Sequence, residues 1–372
     1  MMVVKSNNAS KRIPLVDLFK GFAMICVVVV HAEQIIALPD CLDGLARFAQ
    51  MGVQIFLLMS AFTLCISDSD RAGSFMGRIM KFIPAYWSMV IINCILSFSS
   101  LLILGKNYFW TSDNLLDYIL NLLFLHGLFP NANNNVVPGG WFIGTLVIFY
   151  AIFPYLFRLY KKINVKYRLF IFPLACVVLQ LIITSIVGYV NPDFAVRNNS
   201  FMYFNFVNQM PVFVLGFTLY DIYTNCCNIK HSLFIGIILL LCSFMLFNSQ
   251  LPIYNIVQTI FALSVLFIFV GLRHITINEN LMIVKLLMKF NKYSLAIYLT
   301  HSFVALYLMS VVSKILHLHE LYEMSVYYQI LVYILFTPII VCIVYGVSVL
   351  YHKYVQFVTP FFSPLFRLLT HK

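Results

Sequence analysis

The stretch that decides the fold reads Leu15-Val-Asp-Leu-Phe-Lys20-Gly-Phe-Ala-Met-Ile-Cys-Val-Val-Val-Val-His31. It is apolar from Phe22 to Val30, charged only toward its start, and contains no proline. An apolar run of about 18 residues or more crosses the roughly 30 Å of a bilayer's hydrocarbon. Residues 15–37 meet that length, and similar runs recur to the end of the chain. They lie at 48–67, 82–104, 141–160, 169–190, 204–222, 232–249, 253–272, 293–316 and 326–350. Composition agrees: 62% of the 372 residues are hydrophobic and 10% charged, and the mean hydropathy is +0.92. A soluble domain carries about a quarter charged residues. This chain has too few charges to cover a water-facing surface, so lipid must be its solvent. The expected class is an all-α polytopic membrane protein of about ten transmembrane helices.

One further apolar stretch, 115–129, is short, carries Asp117 and is followed by Pro130. It is either an eleventh span or a re-entrant element. Positive charge decides the orientation. With a cytoplasmic N-terminus and 115–129 not crossing, only Arg47, Lys106, Arg197 and Lys314 of the 24 Lys and Arg fall outside. If 115–129 crossed, the cluster from Arg158 to Arg168 would face outward and every later loop would invert. Both termini are therefore expected in the cytoplasm. The net charge of +11 then reports loop orientation, and no nucleic acid is implied. The first span lacks a small-residue cleavage site and reads as a retained helix. Residues 1–372 form a single transmembrane domain, with 352–372 as a tail on the cytoplasmic membrane surface. The nine cysteines form no CxxC pair and no metal-like spacing, so no metal is expected. Adjacent Cys226 and Cys227 read as inert, with palmitoylation the alternative.

Ionisable groups are costly in hydrocarbon and mark function by default. Of nine histidines, only His31 and His301 sit well inside spans. Asp17 and Lys20 are three apart on one helical face and can pair. Lys20 and His31 are eleven apart, about three turns, so they share a face roughly 16 Å apart along the axis. Either a base at the inner boundary is aligned with a catalytic imidazole in the outer half, or one is an anchor and the other a packing donor. Glu33, two residues beyond His31, points elsewhere. The second span reads Gly52-Val-Gln-Ile-Phe-Leu-Leu-Met-Ser60-Ala-Phe62, with a hydroxyl in mid-membrane. The next loop, Phe75-Met-Gly-Arg78-Ile-Met-Lys81-Phe-Ile-Pro84, sets Arg78 and Lys81 on one face at the inner surface, as a phosphate clamp requires. Further on come Gly139-Gly-Trp141, Phe149-Tyr150-Ala-Ile-Phe-Pro154 and Tyr293-Ser-Leu-Ala-Ile-Tyr298-Leu-Thr-His301.

In order and spacing these segments, with Trp141–Pro154 taken as one, resemble the acyltransferase-3 family of integral-membrane acyltransferases, which includes bacterial surface-glycan O-acetyltransferases. The likeness runs from about 13 to 350. Its first-helix motif, Asp-x-Leu-Arg-Gly followed by His, is matched by Asp17, Lys20, Gly21 and His31. Its Ser-Gly pair is matched by Ser60 and Ala61. Its Arg-Arg-x-x-Arg-Ile-x-Pro motif is matched by Gly77, Arg78, Lys81 and Pro84. Lysine thus replaces arginine twice, which keeps charge and loses the bidentate fork. The Glu that many members carry five residues after the Trp is Leu146 here, so no carboxylate partner for the histidine is expected from that position.

The resemblance implies transfer of an acyl group, most often acetyl, from cytoplasmic acyl-CoA to a hydroxyl of a cell-surface or lipid-linked saccharide. Lys20, Arg78 and Lys81 would hold the polyphosphate of the donor. His31 would act as general base or as nucleophile. His301 would be a second catalytic group or a core histidine. Ser60, Tyr150 or Tyr298 would steady the oxyanion or merely pack, while Asp17, Trp141 and Tyr298 would orient the site. No permanently bound cofactor is implied; the partners are acyl-CoA, the glycan acceptor and membrane lipids of a bacterial cytoplasmic membrane. Outer loops with Tyr108, Trp110 and Asn131–Asn135 carry groups suited to sugars. The rival reading is a carrier or flippase for lipid-linked sugars. It would show an internal repeat and charges at span centres, and neither is found.

Overall fold

The computed structural model describes residues 12–34, 38–67, 75–106, 112–130, 132–191, 200–225, 229–249, 254–315 and 325–370. Tyr108, Trp110, Asn131, Cys226 and Cys227 lie outside the described residues. Among those described, every regular element is helical. The chain begins with α1 (Pro14–Glu33), α2 (Asp40–Phe48), α3 (Gly52–Ser67), α4 (Phe75–Ile79) and α5 (Ile83–Leu104). Then follow α6 (Leu115–Leu122), α7 (Trp141–Lys162), α8 (Val165–Val190), α9 (Ser200–Phe204) and α10 (Phe206–Thr224). The second half holds α11 (Ser232–Asn248), α12 (Tyr254–Leu272), α13 (Met282–Lys292) and α14 (Ser294–Ser302). A π-helical stretch, Phe303–Leu308, joins α14 to α15 (Met309–Ile315), and the long α16 (Val326–Val358) runs through a 3-10 turn into α17 (Ser363–Thr370).

Seven described helical runs are long and apolar enough to cross a membrane. They correspond to seven of the ten expected spans. The other three are also helical but differ in kind. α11 is 17 residues long, and α14 ends after 9 residues where the π-helical stretch begins. α10 carries Asn208, Gln209 and Asp221, all buried, because it runs through the interior against α3, α8 and α12. A helix packed on protein all round has no lipid-facing surface to keep apolar. Its close approach to α3 also accounts for Ala61: a Cβ at Gly216 would lie 2.5 Å from that of Ala61, so one of the two positions must be glycine.

The outer surface is inside out relative to a soluble protein. Phe170, Leu174 and Ile186 on α8, with Tyr327, Leu331 and Leu335 on α16, are exposed, as a lipid-facing helix requires. The 115–129 stretch is not a span. α6 has 8 residues, about 12 Å at 1.5 Å each, and the chain reverses at Phe124, whose φ is 60°. A 3-10 turn at His126–Leu128 then leads back toward the start of α7. Neither helical piece is long enough to cross, as the re-entrant alternative of the sequence reading requires. Hydrogen bonds hold it: Tyr86 donates to Asn121 at 2.6 Å, and His126 Nε2 donates to the Gly140 carbonyl at 3.0 Å. Asn135 donates to Asp117 at 2.5 Å.

α7, α8 and α10 are tied at one end by a buried cluster. Arg168 donates to both carboxylate oxygens of Asp221, at 2.5 and 2.8 Å. Tyr160 donates to the same carboxylate at 2.7 Å, and Lys161 stands 3.6 Å away.

Candidate active site

The start of α1 and neighbouring parts of α3, α7 and α14 surround a cavity of about 540 Å³. Lys20, Arg78 and Lys81 all line it, as do Ser60 and Tyr150. Lys20 Nζ lies 3.4 Å from Thr63 Oγ1 and 5.4 Å from the centre of the Phe56 ring. Arg78 stands over the rings of Tyr150 and Phe153 at 5.9 and 5.6 Å. An aromatic face attracts a cation without neutralising it. Arg12 also lines this space, but its hydrogen bond and charge attraction to Asp17, at 2.5 Å, raise its pKa above the ordinary value. That pair contributes little net charge; the other bases on the cavity wall are Lys20, Arg78 and Lys81.

A second cavity, of about 400 Å³, lies at the other end of α1. His31, Gln34, Trp141, Tyr298, His301 and Ser302 are on its walls. The His31 and His301 rings are 4.9 Å apart between centroids, tilted by 42°. His31 Nδ1 is 2.8 Å from Gln34 Oε1; with Nδ1–H donating, Nε2 keeps its lone pair. His301 Nδ1 donates to the Tyr298 carbonyl at 2.5 Å. Its Nε2 therefore accepts from Ser302 Oγ, 3.0 Å away. His31 Nε2 can therefore take up a proton, whereas both ring nitrogens of His301 are engaged, by Tyr298 and by Ser302.

Tyr298 lines both cavities. Its hydroxyl donates to the Gly139 carbonyl at 2.5 Å, and its ring centroid is 5.2 Å from that of Phe142. Phe142 in turn meets Phe56 at 5.8 Å. Tyr298 is thus the partition between the basic cavity and the histidine cavity, with Phe142 and Phe56 behind it on the basic side. Gly139 has a φ of 81°, and a Cβ there would come within 3.0 Å of Ser302 Oγ and 3.2 Å of His301 Cε1. Only glycine fits that backbone and that gap. Asn134 fixes the same turn by accepting from the Gly139 N–H at 2.8 Å.

The residues singled out in the sequence thus fall into two groups. Lys20, Arg78, Lys81, Asp17, Ser60 and Tyr150 surround the basic cavity; His31, His301 and Trp141 surround the other, and Tyr298 belongs to both. Ser60 and Tyr150 are therefore not brought to the histidines. Asp17 bonds Arg12 and Asn291, at 2.5 and 2.8 Å, in place of the expected pair with Lys20. Trp141 stacks on Phe204 with centroids 4.3 Å apart. Glu33 pairs with Arg47 at 3.4 Å. Leu146 lines the basic cavity, because five residues along α7 from Trp141 is about 7.5 Å of axial rise. The carboxylate missing there has no bearing on His31, whose partner is Gln34. Gln34 and Ser302 are not reached from sequence, where Gly139 enters only as the start of the Trp141 segment. The i,i+3 spacing of His31 and Gln34 is the signal that would have found the first; the adjacency to His301 points to the second.

Residues 13–353 match a family model described as an acyltransferase domain, and the chain belongs to that acyltransferase-3 family. It is a multi-pass membrane acyltransferase. No curated protein and no solved structure matches it.

Proposed function

We propose that the chain moves an acyl group, acetyl in the simplest case, from cytoplasmic acyl-CoA to a hydroxyl of a cell-surface or lipid-linked saccharide, within a bacterial cytoplasmic membrane. The observation that carries this reading is the division of the site. Bases gather in one cavity and imidazoles in another, along one helix, with a single tyrosine on the walls of both. A polyanionic donor and a neutral sugar need such different surroundings.

The donor's phosphates bind at Lys20, Arg78 and Lys81, and its pantetheine arm runs past Tyr298 to present the thioester to the histidines. His31 Nε2 takes the proton of the acceptor hydroxyl. The freed oxygen attacks the thioester carbonyl, the carbon–sulfur bond breaks, and the thiolate leaves and is reprotonated. When its bond to Gly139 is released, Tyr298 can donate to the developing oxyanion. A route through an acyl-imidazole on His31 uses the same groups. The positive-inside charge pattern supports the orientation, with Lys20 toward the cytoplasm.

Mass spectrometry of surface glycans from cells with and without the protein identifies the acylated sugar. In cells carrying only His31→Ala, that modification is expected to vanish while membrane levels of the protein hold. Acylation at the wild-type level in the variant refutes the mechanism.

A further inference from the structure

A groove of about 610 Å³ opens beside the basic cavity, between the chain entering α5 and the C-terminal segment. Lys81 and Pro84 form one wall; Thr359, Ser363 and Arg367 stand on the other. Lys81 also lines the basic cavity, so the two spaces meet at this side chain.

The C-terminal segment is docked there by contacts from distant parts of the sequence. Tyr351 donates to the Ala85 carbonyl, and the Phe362 ring meets Trp87 edge-on at 6.0 Å. Leu365 and Phe366 pack on the core. The family match ends at residue 353, so Arg367 comes from a part of this chain that lies beyond it. Here two bases far apart in the sequence, Lys81 and Arg367, converge on one groove with two hydroxyls on its walls.

We infer that this groove is a phosphate subsite, in which Lys81 and Arg367 hold the 3′-phosphate at the nucleotide end of the CoA donor. The inference rests on the donor reading given above. The guanidinium supplies the two-pronged contact that a phosphate accepts, and Ser363 adds a hydroxyl donor. With the terminal phosphate held in the groove, the diphosphate falls to Lys20 and Arg78, on the path toward the partition. A phospholipid headgroup offers the same phosphate chemistry, and the test separates the two sources.

Full-length protein in phosphatidylcholine nanodiscs is titrated with CoA and with dephospho-CoA, which lacks only the 3′-phosphate. Wild-type protein is expected to prefer CoA by about tenfold or more, the worth of a charged hydrogen bond. In Arg367→Gln the preference should collapse toward unity with dephospho-CoA affinity unchanged, and Arg367→Lys should restore part of it. A preference as large in Arg367→Gln as in wild type overturns the subsite. So does an Arg367→Gln effect seen only as lost stabilisation by phosphatidylglycerol in the nanodisc, which assigns the groove to lipid. Wild-type protein that binds neither compound overturns the donor reading itself, and the subsite with it.

Discussion

His31 and Gln34 stand one helical turn apart, and their 2.8 Å contact decides which imidazole nitrogen is free for chemistry. Replacing Gln34 with Leu removes the acceptor without changing the size of the side chain much. We expect kcat to fall roughly ten- to a hundredfold with the KM for donor near wild type, and Gln34→Glu to recover much of the rate. Steady-state kinetics on the three proteins check this; an equal loss in Gln34→Glu would mean that the position serves packing. Sequence reading reached His31 and His301 because buried imidazoles are rare in spans. It reached Lys20 because eleven residues make nearly whole turns. At Asp17 local spacing put Lys20 within reach, while the hydrogen bonds made go to Asn291, 274 positions away, and to Arg12. A three-residue spacing shows which partners are within reach, and tertiary contacts select among them.

Among the elements, α10 shows why hydropathy alone under-reads a polytopic protein. Its position was legible, but its enclosure by α3, α8 and α12 was not, since an interior helix and a lipid-facing one differ in polar content that a span search treats as noise. The same holds for α6, where length left two options and the reversal at Phe124 selects one. The tie joining α7, α8 and α10 at Asp221 is a buried charge pair, 1% exposed at Asp221 and 6% at Arg168. Removing one partner of such a pair costs about 3–5 kcal/mol, because the other charge is left buried alone. Asp221→Ala should therefore lower the unfolding temperature in detergent markedly. The double variant Arg168→Met/Asp221→Leu should regain most of that loss. A single variant as stable as wild type would show that the tie contributes nothing net.

For the molecule as a whole, the arrangement of the two cavities implies a sided reaction. Protein reconstituted into sealed vesicles in one orientation should acylate an acceptor on the histidine side only when acyl-CoA is supplied on the Lys20 side. Product formed from donor and acceptor on the same side would contradict the proposed path. The bundle's class and its charge asymmetry were readable from composition and loops. The partition was not, because Tyr298, Phe142 and Phe56 come from three separate helices and look like any other aromatic residues in a span.

That partition bears on the host cell as well as on the reaction. Two recesses that adjoin at one tyrosine depend on that side chain to stay separate. Tyr298 is latched to Gly139 and braced by Phe142, and on the proposed reading that contact keeps the two recesses apart until a donor arrives. An acyl group can then be handed across with no continuous file of water for ions or protons to follow. On this view the enzyme modifies the exterior without drawing down the gradient that the membrane exists to keep.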